Sequence, residues 1–521
     1  MTAHQVGLLL LGLAAIIALA RLLGAAAKKI GQPAVVGEIV AGILIGPTLF
    51  GTVVTDRLLP VDVRPALSGL ANVGLVLFMF IVGYELDHTL VRGRGRIAVS
   101  VSVGSVILPL GLGAGLGVWL ADRHGVTDVV PFALFIGAAM AVTAFPVLAR
   151  ILTERGMHRT EVGSLTLASA AVDDVIAWTL LAGVVALAGA TADGSWHILL
   201  AVPFAAAMFL LVRPALRRLV AARTAAGRLT PDILAIVLIG VLASAYAAEW
   251  LGVHAIFGAF LFGAMMPDDR ILRGEIMERL EQVSVLLLLP AFFVLAGIRV
   301  DLSGLGGSGW LELALILAVA IGGKFAGAYL GARVHGVRHD RSAAMAILMN
   351  TRGLTEIVIL TVGLQLGLLD GALYSLMVVM ALVTTAMAGP LLSLVYPRAR
   401  VDRDIAEAER KAVGGPAAYR VLVQMPTDEL VARAAKVIGP RRPAEVVLSR
   451  LLTYGPAVEV GAGLTTELLE VTTAMSELAE LARPLTEQGI SAPILVRFSK
   501  DPAADFARQA ESLGPDAVVT A

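Results

Sequence analysis

Two aspartates, Asp173 and Asp174, stand side by side in LASAAVDDVIAWT (167–179), a stretch with no other charge. At the centre of a bilayer each carboxylate costs about 2.5–3.5 kcal/mol on insertion scales. The apolar frame around them runs over 162–190, with eleven residues before Asp173 and sixteen after Asp174, so the pair is central. Lys324 interrupts AVAIGGKFAGAYLGAR (318–333) in the same manner. Adjacent residues on a helix point about 100° apart, so the two carboxylates cannot share one partner symmetrically. One can face a small cation while the other faces the ammonium. A carboxylate in such a place holds a cation when ionised and releases it when protonated.

Two further segments carry polar residues at membrane depth. AVTAFPVLAR (141–150) has Pro146 inside a run that otherwise reads as helix, with Thr143 three residues before it. MNTRGLTEIVIL (349–360) has Asn350, Thr351, Arg352, Gly353, Thr355 and Glu356. Both read as helices broken near mid-membrane, and their freed backbone groups and helix ends would line a cavity.

The elements that must position these residues follow from composition. The 521-residue chain is 57% hydrophobic and 16% charged, with a mean hydropathy of +0.83, against about a quarter charged in soluble domains. Its 54 glycines and low aromatic content suit closely packed membrane helices. Net charge is zero, which gives no sign of nucleic-acid binding, and the absence of Cys excludes disulfides, thiolate metal sites and cysteine nucleophiles. Thirteen apolar spans are predicted, near 5–27, 33–51, 67–86, 97–121, 129–152, 162–190, 195–216, 231–250, 252–267, 281–300, 310–332, 341–366 and 371–396. The first has no Lys or Arg before its apolar run and does not read as a cleaved signal peptide. Loops after odd-numbered spans are basic: Lys28 and Lys29 follow the first, and Arg213, Arg217, Arg218, Arg223 and Arg228 follow the seventh. Loops after even-numbered spans hold almost no cations. This alternation predicts the N-terminus outside and the C-terminus in the cytoplasm.

An internal repeat offsets the spans by seven. VVGEIVAGILIGP (35–47) aligns with AIFGAFLFGAMMP (255–267), pairing Gly37 with Gly258 and Gly42 with Gly263. FMFIVGYELD (78–87) aligns with FFVLAGIRVD (292–301), pairing Gly83 with Gly297 and Asp87 with Asp301. The two broken segments fall in the fifth and twelfth spans, again seven apart. An odd offset makes the copies face opposite ways, the inverted repeat of secondary transporters.

Taken in order, GQPAVVGEIVAGILIGPTLFG (31–51), LVLFMFIVGYELD (75–87), ASAAVDDVIAW (168–178), LGVHAIFGAFLFG (251–263), LPAFFVLAGIRVDL (289–302) and NTRGLTEIVIL (350–360) resemble the bacterial sodium/hydrogen exchanger family of monovalent cation/proton antiporters, across residues 5–396. The resemblance implies an all-α polytopic membrane protein, a homodimer in the cell membrane. In it, a core holding two crossed broken helices slides against a dimerisation part. It implies that Asp174 is the main cation ligand and proton carrier, that Asp173 pairs with Lys324, and that Thr143 helps line the site. Arg352 and Glu356 match the family's polar pair on the second broken helix, or else form a mutual i,i+4 structural pair; Asn350 lies in the same break. Because members of that family with two adjacent aspartates are usually sodium exchangers, the resemblance implies Na⁺, with Li⁺, over K⁺. No cofactor and no metal beyond the transported cation is implied, and the chain is not read as an enzyme. The alternatives are a K⁺/H⁺ antiporter or gated K⁺ efflux system, and a membrane sensor signalling through its soluble part.

After residue 397 the character changes. A charged linker (398–417) leads into a soluble segment (418–521). There AYRVLVQM (418–425), AEVVLSRLL (444–452) and APILVRFS (492–499) read as strands and 428–439, 465–489 and 501–514 as helices. The alternation predicts a small cytoplasmic α/β domain. It resembles a divergent, truncated universal-stress-protein-like domain, with a regulatory or stabilising role. VGAGLTT (460–466) lacks the third glycine of a dinucleotide fingerprint, since Thr466 stands there. His124, His158, His254 and His335 fall in or near loops without metal-ligand spacing and are read as solvated.

Overall fold

A computed structural model describes residues 2–51, 53–85, 95–155, 157, 160–193, 200–252, 254–412, 419–439, 443–453, 462–499 and 501–520. Asp87, His158, Val460 and Gly461 lie outside the described residues, as does the end of the linker. The chain separates into two compact units. One comprises residues 1–148 and 165–395, the other residues 149–164 and 396–521.

The first unit is helical. Its elements begin with α1 (Ala3–Lys29), α2 (Ala34–Ile45), the short α3 (Pro47–Phe50) and α4 (Val53–Leu58), α5 (Arg64–Glu85) and α6 (Gly95–Arg123). Then come α7 (Val129–Ala141), α8 (Phe145–Glu154), α9 (Glu161–Asp193), α10 (Ala201–Ala207), a π-helical turn, α11 (Arg213–Ala226), α12 (Pro231–Trp250) and α13 (Ala255–Met265). α14 (Arg270–Val283), a second π-helical turn, α15 (Leu289–Ile298), α16 (Gly307–Arg333), α17 (His339–Met349), α18 (Leu354–Gln365) and α19 (Gly371–Val395) complete it. The division falls within α8 and α9, whose residues are shared between the units. Among the described residues, seven helices are long and apolar enough to cross a membrane, and five shorter apolar ones accompany them. The short ones include α7 and α18, halves of the two interrupted segments. Helix is the form these sequences must take where no water can serve the backbone.

Close packing at glycine makes the repeat visible in three dimensions. A Cβ at Gly42 of α2 would overlap the Val294 carbonyl oxygen of α15 and sit 2.7 Å from Gly297 Cα; one at Gly297 would overlap the Ile39 oxygen and sit 2.9 Å from Gly42 Cα. At the second crossing, a Cβ at Gly83 of α5 would overlap the Phe260 oxygen of α13, and one at Gly263 would overlap the Phe80 oxygen. The repeat aligns Gly42 with Gly263 and Gly83 with Gly297, so it exchanges one crossing for the other. Only a residue without a side chain allows backbones this near.

The second unit carries α20 (Arg398–Ala412) and a parallel sheet of β1 (Tyr419–Gln424), β2 (Ala444–Thr453), β3 (Ile494–Ser499) and β4 (Ala517–Val519), in the order β3-β2-β1-β4. Between strands run α21 (Asp428–Ile438), α22 (Ala462–Glu487) and α23 (Pro502–Leu513). Period-two alternation divides the core. Val421, Val423, Val446 and Leu448 pack with Leu430, Ala434 and Leu485 of α21 and α22. Leu422, Val447 and Leu495 face the other way, onto Phe506 and Leu513 of α23. Sequence-read strands and helices agree with these bounds to within a few residues.

Candidate functional site

The two predicted breaks are present. α7 stops at Ala141, Val142 turns extended (φ −71°, ψ 143°), and α8 starts at Phe145 with Pro146 in its first turn. Pro146 cannot donate to a preceding carbonyl, which favours a helix start there. α17 stops at Met349 and α18 begins at Leu354 after Gly353. The breaks meet: Ala144 N donates to Thr351 O at 3.0 Å.

A helix ending inside a membrane leaves carbonyls unpaired and a partial negative charge at its C-terminus. Here two cations cover that end of α7. Arg352 Nη1 donates to Ala139 O at 3.0 Å and Nη2 to Met140 O at 2.6 Å, while Lys324 Nζ donates to Ala141 O. Lys324 also reaches Ser105 O at 3.4 Å. Both cations are fully buried.

Asp173 is saturated with donors. Its Oδ1 accepts from Ser102 Oγ at 3.1 Å and Ser105 Oγ at 2.9 Å. Its Oδ2 accepts from the Thr143 hydroxyl and lies 3.2 Å from Lys324 Nζ. Asp174, its neighbour, is 2% exposed, and its Oδ1 has no hydrogen-bond partner. Asn350 Oδ1, 3% exposed as a residue, is unpartnered too. Arg352 pairs with Glu356 at 2.9 Å (i,i+4) and holds Thr385 through its backbone. One helical turn beyond Asp174, Trp178 packs against Phe257 and Phe260 of α13 at 6.0 and 5.6 Å between centroids.

The structure thus brings Thr143, Asp173, Lys324, Asn350, Arg352 and Glu356 to the two breaks, with Asp174 beside them on α9. Thr143 bonds Asp173 and reaches Met349 O at 3.0 Å. Ser102 and Ser105 were not singled out from sequence; their signal is two hydroxyls three apart within the apolar SVSVGSV of α6. His124 is no free solvated side chain. Its Nδ1 lies 2.6 Å from Asp370 and its Nε2 3.2 Å from Glu312, which also takes Arg123 at 2.8 Å. His254 contacts Gln365 at 3.1 Å. Among the described residues no cluster of His, Cys, Asp and Glu could hold a metal ion.

A partnered acid beside one with an unpartnered oxygen, both buried where two helix breaks meet, is a site that can take up a proton or a small cation at one carboxylate while the other keeps a lysine in place. The model of the transmembrane sodium/hydrogen exchanger family matches residues 14–396. The chain belongs to that family. It is a family of secondary transporters, monovalent cation/proton antiporters, and not of enzymes. The chain is similar to the Na(+)/H(+) antiporter NhaS4 of Synechocystis sp., at 38% identity over 75% of this chain and 97% of that protein. It is similar to the Na(+)/H(+)-K(+) antiporter GerN of Bacillus cereus, at 28% identity over 72% of this chain and 93% of that one. With the K(+)/H(+) antiporter 1 of Saccharomyces cerevisiae it shares 31% identity over 74% of this chain and 45% of that longer protein. The solved sodium proton antiporter MjNhaP1 from Methanocaldococcus jannaschii shares its fold, with a TM-score of 0.56 over 76% of this chain and 98% of that one at 16% identity.

Proposed function

We propose that this antiporter exchanges Na⁺, and with it Li⁺, for protons, and that Asp174 is the carboxylate at which the two compete. The observation that carries this reading is the contrast between Asp173, with four donors on its two oxygens, and Asp174, with an oxygen that has none. A cation bound at Asp174 would supply the missing partner, and a proton would remove the need for one. Asp173 and Lys324 form the fixed charge pair, with Thr143 bridging the pair to α17, and Asn350 offers a second oxygen in the same break. Sodium is favoured by the adjacent aspartates and by the likeness to a Na(+)/H(+) antiporter along nearly that protein's whole length. Potassium is the second reading, because similar relatives include antiporters named for K⁺.

In this reading residues 1–397 cross the cell membrane thirteen times, with the N-terminus outside, and work as a homodimer. Residues 398–417 link them to a cytoplasmic regulatory domain, 418–521. Everted vesicles carrying a pH-sensitive dye test the proposal. Addition of Na⁺ or Li⁺ should dissipate a preformed proton gradient. A K⁺ response at least equal to that of Na⁺ would replace the ion assignment, and silence to all three cations would leave the sensor reading.

A further inference from the structure

The region where α5 and α13 end holds a cavity that the exchange site does not use. It measures about 180 Å³ and is lined by Arg213, Arg217, Arg273, Tyr84 and Asp268, with Gly83 and Gly263 in its wall. Three guanidiniums converge on it from α11 and α14. Arg213 and Arg217 stand one turn apart on α11, and among the described residues no carboxylate pairs with either. Arg273 bonds Asp268 at 2.5 Å, but the Asp268 side chain is 71% exposed and is the only acid in the lining. The pocket therefore carries about two uncompensated positive charges.

Its buried polar atoms are unfilled. Arg273 Nε has no hydrogen-bond partner, nor has the Tyr84 hydroxyl, although the Arg273 guanidinium sits 5.3 Å over the Tyr84 ring and the tyrosine is 2% exposed. Buried donors left without acceptors are destabilising, and a ligand that accepts from them relieves that cost. A planar guanidinium presents paired N–H groups that match phosphate oxygens. The turn before Arg213 places Leu210 and Leu211 at the surface, 72% and 69% exposed. Basic residues bordering exposed apolar surface at the ends of membrane helices suit an amphiphile with an anionic head.

We propose that this cavity is a phosphate-binding site, filled by the phosphodiester of an anionic phospholipid or by free phosphate, with Arg213, Arg217 and Arg273 holding the oxygens and Tyr84 donating from below. The site lies outside the Asp173–Asp174 cluster and does not depend on which cation is exchanged.

The test uses the full chain, purified in detergent, and reads its melting temperature with phosphatidylglycerol, phosphatidylcholine or inorganic phosphate at equal phosphate concentration. Phosphatidylglycerol should raise Tm and phosphatidylcholine should not. If inorganic phosphate gives the same rise, the ligand is the free ion; if it gives none, the ligand is the lipid. The double variant Arg213→Ala with Arg217→Ala removes two exposed side chains that make no ion pair among the described residues, so it should melt as the wild type does without ligand and lose more than half of the ligand-induced rise. Arg273→Lys keeps the charge and should lose part of it. No rise with either anion, or an undiminished rise in the double variant, overturns the proposal.

Discussion

Lys324 Nζ lies 3.2 Å from Asp173 Oδ2, and Asp174, next in sequence, makes no such contact. Two residues of one type, joined by one peptide bond, thus have opposite surroundings. Changing Asp174→Asn should leave folding intact, since Oδ1 has no protein partner to lose, while cation-driven proton movement in vesicles vanishes. Normal transport by this variant would sink the assignment.

Asp173→Asn strands a buried ammonium, and breaking a buried pair from one side costs about 3–5 kcal/mol. Detergent melting should show the loss. Asp173→Asn combined with Lys324→Gln leaves neither charge alone and should recover much of it, a coupling that a double-mutant cycle reads directly. Additive losses would show that the contact contributes nothing.

Arg352 spans two backbone carbonyls and a carboxylate, a reach that Lys cannot reproduce. Arg352→Lys should therefore lower stability by about 1–3 kcal/mol for each carbonyl left unpaired. Thermal melts at the pH of transport would check it, and an unchanged melting temperature would refute the capping role.

How much of this was legible in sequence differs by interaction. Asp173, Asp174 and Lys324 announce themselves because a charge in an apolar run has no other reading at that depth. Pro146, which has no N–H to donate, and Thr143 before it mark one break, and Gly42, Gly83, Gly263 and Gly297 disclose the repeat by recurring at an offset of seven spans. Ser102 and Ser105 do not stand out, since small hydroxyl residues are ordinary in packed membrane helices. The grip of Arg352 on Ala139 and Met140 was beyond reach, because a backbone carbonyl has no signature in sequence. His124 needed the fold as well: its partners Glu312 and Asp370 come from elements far along the chain.

The glycine crossings make a prediction of their own. Gly83→Ala or Gly297→Ala should destabilise by about 1–3 kcal/mol, as overpacking does, because the new Cβ meets backbone that cannot step aside. Gly111→Ala in α6 meets nothing within 4 Å and should be neutral or slightly stabilising, as Ala is the better helix former. Equal effects at Gly83 and Gly111 in melting temperature would contradict the packing described.

In the α/β unit, burial pushes the Asp505 carboxyl up, but the Ser499 hydroxyl at 2.6 Å and the Arg497 and Arg508 guanidiniums outweigh it and hold it below the ordinary aspartate value. A lowered folded-state value gives stability that is complete above the unfolded aspartate pKa of about 3.9 and is lost as pH falls through the folded one. Hydrogen exchange over β3 and α23 of the full chain should quicken as pH drops below about 4, after correction for intrinsic rates. Asp505→Asn should flatten that response; an equally steep one would exclude Asp505 as its source.

The bond from Ala144 N to Thr351 O, with Arg352 clasping the end of α7, has a mechanical consequence. Each interruption on its own would be a hinge, free to flex about its extended residues. Stitched to one another, the two brace each other, and neither half-helix can swing without breaking these bonds. In the proposed exchange, access to Asp174 from alternate sides would come from moving the braced block as a whole, with the bound ion as cargo, rather than from doors opening within it.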